Sequence, residues 1–313
     1  MILGLLQILK LTIMQTNTLS QLTGVDRLLA FIKAGGPQEF EYDELTQTWD
    51  NISAETDPSL SLTKEKLKRL FGAHFLSHTL QGFSYRKPYG YSGDFKIIDL
   101  IYQQEISRDK RYQKWDKYFQ SIHACRAVRN RKSYFINLVK EKCATMKRPL
   151  RILNVASGPC RDILEMFEQI PACRLQIHCV ERDSYAIAYA QKLLGSFANR
   201  VAFIQKNIFD FEPAENFDLI WSAGLFDYFK DEAFTNLLAK FRGWCAHSGE
   251  VVIGNFSVDN PSRSYMEKGT NWYLFHRTDL QLKQLATAAG FHKDKARVKS
   301  EALGVNLFLH ACV

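Results

Sequence analysis

The segment from Arg151 to Asp183, RILNVASGPCRDILEMFEQIPACRLQIHCVERD, constrains this chain more than any other. An apolar run at 152–156 enters a turn of small residues, Ser157-Gly158-Pro159-Cys160. Helical spacing follows from Arg161 to about Ile170, and a second apolar run at 175–180 stops at Glu181. Strand, glycine turn, helix, strand and acid, in that order, form the unit that presents a nucleoside at the carboxyl edge of a parallel sheet. Gly158 has no Cβ, so the backbone there can approach a ligand closely. Glu181 can accept hydrogen bonds from two ribose hydroxyls. The turn has one glycine where a dinucleotide fingerprint has three, with Ala156 and Cys160 at the outer positions. Pyrophosphate rests on the backbone and needs the full set. The pattern therefore favours a nucleoside without phosphates, with an ordinary ligand-free βαβ turn as the alternative.

The chain reads in two parts. Residues 1–147 show helical spacing, clearest at 71–80 and 115–139. Between these segments lies Tyr85-Arg-Lys-Pro-Tyr-Gly-Tyr-Ser-Gly-Asp94, a Gly-, Pro- and aromatic-rich loop of the kind that carries function, or a plain interhelical turn. Residues 148–313 alternate strand and helix. Asp183 or Ser184 caps a helix over 184–194, and strands follow at 201–205 and 217–221. A helix over 231–245 leads through the turn His247-Ser248-Gly249 to a strand at 251–255. A helix over 278–289 ends at Gly290, and 296–299 with 306–311 form an antiparallel pair at the sheet edge. This alternation predicts an α/β fold with a mainly parallel sheet.

With 313 residues and 46% hydrophobic content, a sizeable core is available in one or two domains. The net charge of +8 gathers at Arg126, Arg129, Arg131 and Lys132 and at Lys147, Arg148 and Arg151. A solvated helix face accounts for these residues better than a nucleic-acid surface, and the positive field suits an anionic small substrate. The seven cysteines are odd in number and include no CxxC pair, which predicts a reduced cytoplasmic protein without a zinc site. The first fourteen residues, MILGLLQILKLTIM, are too short to span a bilayer and show no signal-peptide cleavage site. Gly4, Gln7 and Lys10 would make them a short amphipathic element; alternatively, translation starts at Met14. Oligomeric state is not legible.

Taken together, these residues resemble the class I S-adenosylmethionine-dependent methyltransferases over roughly 150–312. The resemblance implies a Rossmann-like seven-stranded sheet with the last strand antiparallel, here with a helical N-terminal domain at 1–147 and the methyltransferase domain at 148–313. It implies S-adenosylmethionine as cofactor and no metal. The methionine part would be wrapped by Ala156, Ser157 and Gly158, the ribose held by Glu181 beside Arg182, and the adenine by Asn207, Ile208 and Phe209. Ser222, Ala223 and Gly224 would lie next to the sulfonium. Asn154 and Cys160 depart from the common pattern of Asp and Gly. A narrower resemblance rests on KPYGYSGDFKIIDLIY at 87–102, ASGPCRD at 156–162, SAGLFDYF at 222–229 and GNFSVDNPSRSYMEKGTNWYLFHRT at 254–278. These motifs are similar to a bacterial group labelled as 3-hydroxypalmitic acid methyl ester biosynthesis proteins.

Methyl transfer from a sulfonium is an in-line displacement, so the enzyme chiefly holds a nucleophile about 3 Å from the methyl carbon, away from water. A carboxylate acceptor is already ionised, whereas an alcohol needs a base. No His–acid pair stands out, which favours a carboxylate or an amine acceptor; the first candidate is a small molecule bearing a carboxylate, such as a fatty or hydroxy acid. A peptide or secondary metabolite methylated on N or O, and a nucleoside-binding regulatory protein without chemistry, remain alternatives. The N-terminal part would act as a lid whose Tyr91, Ser92 and Asp94 reach the cofactor's amino group; Asp94 is equally a helix cap. Arg126, Arg129 or Arg131 can meet a carboxylate. Tyr228 at the mouth and Asn255, Asn260, Arg263, Met266, Glu267, Trp272 and Arg277 beyond the fifth strand complete the candidate pocket, with Arg263 or Arg277 as a bidentate clamp or a structural ion pair.

Overall fold

A computed structural model describes residues 23–313; the N-terminal amphipathic element and the Met14 alternative lie outside the described residues. The chain forms two units. One takes the chain up to Arg86, then Ile106–Phe119 and Ser262–Asn271; the other takes Lys87–Glu105, Gln120–Pro261 and Trp272–Val313. The division thus does not fall at residue 147. Residues 87–105 and 120–147 join the sheet, and 262–271 leave it for the helical unit.

The helical unit is built on α1 (Gly24–Lys33), α2 (Tyr42–Ala54), α3 (Lys64–His78) and α4 (Leu80–Arg86). Thr23 and Asp26 form a reciprocal capping box at the start of α1, which satisfies two backbone donors that the first turn leaves open. The inserted residues 262–271 are needed to complete its core. The Tyr265 ring packs 5.3 Å from Trp49 and 5.2 Å from Tyr118, and its hydroxyl lies 3.2 Å from Gln81 Oε1. The Gln81 amide then donates to the Gly269 carbonyl at 3.3 Å.

Three further helices precede the sheet: α5 (Phe95–Tyr102), α6 (Gln113–Ser121) and α7 (His123–Thr145). The apolar spacing over 115–139 is therefore split in two at Ile122, whose extended backbone (ψ 148°) ends one helix before the next begins. On α7 the buried stripe runs through Ala124, Val128, Arg131, Phe135 and Leu138 or Val139, so an arginine occupies a core-facing position.

The sheet unit contains β1 (Leu150–Val155), β2 (Leu175–Glu181), β3 (Val201–Gln205), β4 (Phe217–Ser222), β5 (Cys245–Phe256), β6 (Ala296–Ser300) and β7 (Asn306–Cys312). Their order is β3-β2-β1-β4-β5-β7-β6, with β1 to β5 parallel and β7 antiparallel to both its neighbours. The helices α8 (Arg161–Gln169), α9 (Ser184–Leu194) and α10 (Asp231–Trp244) make crossovers, and α11 (Asp279–Ala288) precedes β6. Side chains alternate between two cores, with Leu153, Val155, Ile220, Val251 and Ile253 in one and Ile152, Leu219, Trp221 and Val252 in the other. Each such buried side chain contributes about 1.5–3 kcal/mol of transfer free energy. Strand order reverses between β1 and β4, so the chain leaves these two strands in opposite directions at their carboxyl ends, the usual place for a ligand in an open α/β sheet.

Two sequence expectations need correcting. Residues 247–249 do not separate helix from strand: β5 runs on from Cys245, absorbing Ser248 at φ 65° and a register shift against β4. Cys143 and Cys173 are joined by a disulfide, so the case for a reducing compartment from unpaired cysteines does not hold. Among the described residues, no helix is long and apolar enough to cross a membrane.

Candidate active site

The turn after β1 adopts the backbone that glycines would give it, although two of its three key residues are not glycine. Ala156, Gly158 and Cys160 have φ of 53°, 55° and 56°. A left-handed residue with a Cβ costs about 1–2 kcal/mol, and such strain collects at functional sites. The Ala156 amide is fixed by the Val180 carbonyl at 2.9 Å. A Cβ built on Gly158 would meet no atom within 4 Å, so the turn opens onto free space there. Among the described residues, buried Ser157 Oγ and Asn154 Nδ2 have no hydrogen-bond partner.

Glu181 stands opposite. Its Oε2 accepts from the Gly158 amide at 3.1 Å, and its Oε1 accepts from the Arg182 and Asp183 amides at 2.8 and 3.0 Å. Asp183 caps α9 through Oδ1 and accepts the Tyr91 hydroxyl at 2.9 Å through Oδ2. Burial, together with the carboxylates of Asp183, Glu181 and Asp94, raises the Tyr91 pKa, so the phenol stays protonated. Asp94 caps α5, its Oδ1 accepting from the Lys96 and Ile97 amides at 3.0 and 2.9 Å. Burial lifts its pKa to about 6 against those two hydrogen bonds. Asn207 caps its own short turn, accepting the Phe209 amide at 3.2 Å; Ile208 is buried and Phe209 lies against Phe229.

At the end of β4, Ser222 Oγ donates to the Val155 carbonyl at 3.2 Å, tying β4 to β1. The Ala223 carbonyl accepts from Arg131 Nη1 at 3.2 Å. Gly224 has no room for a side chain, since a Cβ would lie 3.0 Å from the same nitrogen. Tyr228 donates to the Ser92 carbonyl and accepts from Trp272 Nε1, both at 2.9 Å. It braces the 87–94 loop, where a Cβ on Gly93 would fall 2.6 Å from the Tyr228 hydroxyl and from Trp272.

Two candidate clamps prove to be struts. Arg277 is buried, and all its N–H groups are directed at protein partners: Asp231 Oδ1, Asn255 Oδ1 and the carbonyls of Phe226 and Phe229. Asn255 gives its amide to the Phe256 and Phe275 carbonyls. Neither retains a donor for an acceptor carboxylate. Arg129 directs two of its N–H groups to Gln120, while Arg126 is exposed. Arg263 pairs with Glu267 at 2.7 Å, and both, with Met266, belong to the helical unit.

Two buried acids brace the elements around the site. Asp227 Oδ1 accepts from the Phe256 amide at 2.6 Å, its carbonyl from the Phe275 amide at 2.7 Å, and burial lifts its pKa to about 7. Fully buried Asp99 takes Arg161 and the Tyr189 hydroxyl, joining α5 to the helices on either side of β2. Arg161, next to the turn, was the only local hint of that pairing.

The profile of a family described as "Methyltransferase domain" matches residues 152–249, which span β1 to the first part of β5. Over this stretch the chain is similar to a methyltransferase domain. Among curated proteins, none matches it. Three solved structures share the fold. A possible exported protein from Bordetella parapertussis is 15% identical with a TM-score of 0.60, over 74% of this chain and 85% of that one. A candidate O-methyltransferase from Nostoc punctiforme is 14% identical with a TM-score of 0.51, over 74% and 72%. The S-adenosylmethionine-dependent methyltransferase SibL, in its apo form, is 14% identical with a TM-score of 0.51, over 74% and 68%. At such identities the likeness concerns the fold.

Proposed function

We propose that the protein methylates a small-molecule carboxylate, with a fatty or hydroxy acid as the first candidate, using the site at the carboxyl ends of β1 to β4. The observation that carries this reading is the left-handed turn Ala156–Cys160 facing open space, with Glu181 locked beside it. These residues fit a nucleoside carrying an amino-acid tail. Glu181 is oriented by three backbone amides and can accept ribose hydroxyls. Asn207 and Phe209 lie after β3, where they can take the adenine. Unpartnered Ser157 Oγ and Asn154 Nδ2 offer polar contacts beyond the ribose.

When bound, S-adenosylmethionine supplies a methyl group on a positively charged sulfur. The chain's part is positioning. Ser222, Ala223 and Gly224 keep side-chain bulk away from the strand end, and Tyr228 with Trp272 holds the 87–94 loop closed over it. A carboxylate acceptor needs no proton removed, so its alignment and the exclusion of water suffice. Calorimetric titration with S-adenosylmethionine and S-adenosylhomocysteine, followed by turnover assays on 3-hydroxy fatty acids, tests the reading. Micromolar binding with ester formation is expected; binding to neither nucleoside would overturn it.

A further inference from the structure

Arg131 lies on the core-facing stripe of α7, between Val128 and Phe135, where the helix otherwise buries apolar groups. It is buried, only 7% exposed. An arginine in such a place is costly unless its charge and its donors are matched. Here they are not. Nη1 donates to the Ala223 carbonyl and the guanidinium reaches the Tyr102 hydroxyl, but Nε has no partner. Asp162 and Asp227 influence it electrostatically, yet among the described residues no carboxylate forms an ion pair with it. The buried, unpartnered Nε calls for an acceptor from outside the chain, and the positive charge calls for an anion.

Its place in the sheet indicates which end of a ligand it meets. Glu181 ends β2, Asn207 follows β3, and the left-handed turn follows β1. A nucleoside laid over these strands has its base toward β3, its ribose at β2 and its 5′ substituent toward β1 and β4. Arg131 touches Ala223 and Gly224 at the end of β4 and lies near Asp162 at the start of α8. That is the far end of the 5′ substituent.

We propose that Arg131 binds the α-carboxylate of the donor's amino-acid tail, and that this contact discriminates donor and spent donor from nucleosides lacking the tail. The inference rests on the methyltransferase reading above. It would make Arg131 a determinant of cofactor affinity that acts on one end of the ligand only.

The test compares S-adenosylhomocysteine, which has the amino-acid tail, with 5′-methylthioadenosine, which lacks it. Affinities are measured by calorimetry on the full chain and on Arg131→Gln and Arg131→Lys. Expected is a loss of about tenfold or more for S-adenosylhomocysteine in Arg131→Gln, the size of a charge-assisted hydrogen bond. Partial recovery is expected in Arg131→Lys, with methylthioadenosine bound equally by all three. Equal weakening of both ligands would overturn the proposal in favour of a packing role. So would unchanged binding of both; loss of 3-hydroxydecanoate binding in the S-adenosylhomocysteine complex would then reassign Arg131 to the acceptor. If the unaltered protein binds neither nucleoside, it is the methyltransferase reading that fails, and this proposal falls with it.

Discussion

The Gly158 amide donates to Glu181 Oε2 at 3.1 Å, joining two residues 23 positions apart, one in the turn after β1 and one at the end of β2. The bond sets the carboxylate before any ligand arrives. In the proposed site a ribose would meet an acid whose orientation is already settled, which lowers the entropy lost on binding.

Glu181→Ala removes both the acid and its hold on the turn. Charge-assisted hydrogen bonds are worth about 1.5–3 kcal/mol each, so affinity for S-adenosylhomocysteine should fall by at least tenfold in calorimetry. Affinity near that of the unaltered protein would contradict the assignment.

Gly158→Ala separates ligand effects from folding effects. No protein atom lies within 4 Å of the new Cβ, so the cost to stability is only that of φ 55° in a residue with a side chain, about 1–2 kcal/mol. Cofactor affinity should drop further than this, because the methyl group projects into the space the turn faces. Urea unfolding and calorimetry on the same preparation give both numbers.

Arg277→Met should act on stability. The substitution strips Asp231, Asn255 and two buried carbonyls of their donor, and breaking one side of a buried pair costs about 3–5 kcal/mol. Because Asp231 is itself exposed, the low end applies. The denaturation midpoint is expected to fall; a variant of unchanged stability and raised KM would instead make Arg277 an acceptor clamp.

Asp227→Asn tests pH dependence. Burial raises the native pKa of Asp227 to about 7, above the ~3.9 of an unfolded aspartate. Its stabilising contribution is therefore complete below the unfolded value and is lost as pH rises through 7. Asparagine can still accept the Phe256 amide but does not ionise. The fall in unfolding free energy between pH 5 and pH 8 should be smaller in the variant, by on the order of 2 kcal/mol. An identical fall in both proteins would show that Asp227 is already ionised at pH 5.

Local pattern carried the sheet. At β3 the apolar run 201–205 coincides with the strand, and Gly290 ends α11 with φ 89° as helix-stop chemistry requires. What escaped were features settled by distant partners. The 154–160 segment names only one glycine, yet Ala156 and Cys160 take glycine's conformation because the strands and α8 on either side fix the path. For Arg277 the sequence leaves a clamp and a structural ion pair open; only the returning backbone of 226–231 shows that its donors are spent. Asp94 offered a cap and a ligand contact, and the cap is visible in its two amide bonds. Residues 262–271 sit in a run of polar and aromatic residues with no composition break, so nothing local announced that they complete another core.

That insertion bears on how the protein is made. The helices α1 to α4 precede the sheet in the chain, but the Tyr265 ring at the centre of their unit, flanked by Trp49 and Tyr118, is specified far downstream. At ribosomal speeds of about 5–20 residues per second, the stretch from Arg86 to Tyr265 takes roughly 10–40 s to emerge. For that interval the first helices must wait with an unfilled centre while the nascent strands pair. Synthesis order and assembly order therefore differ: the part translated first is among the last that can close.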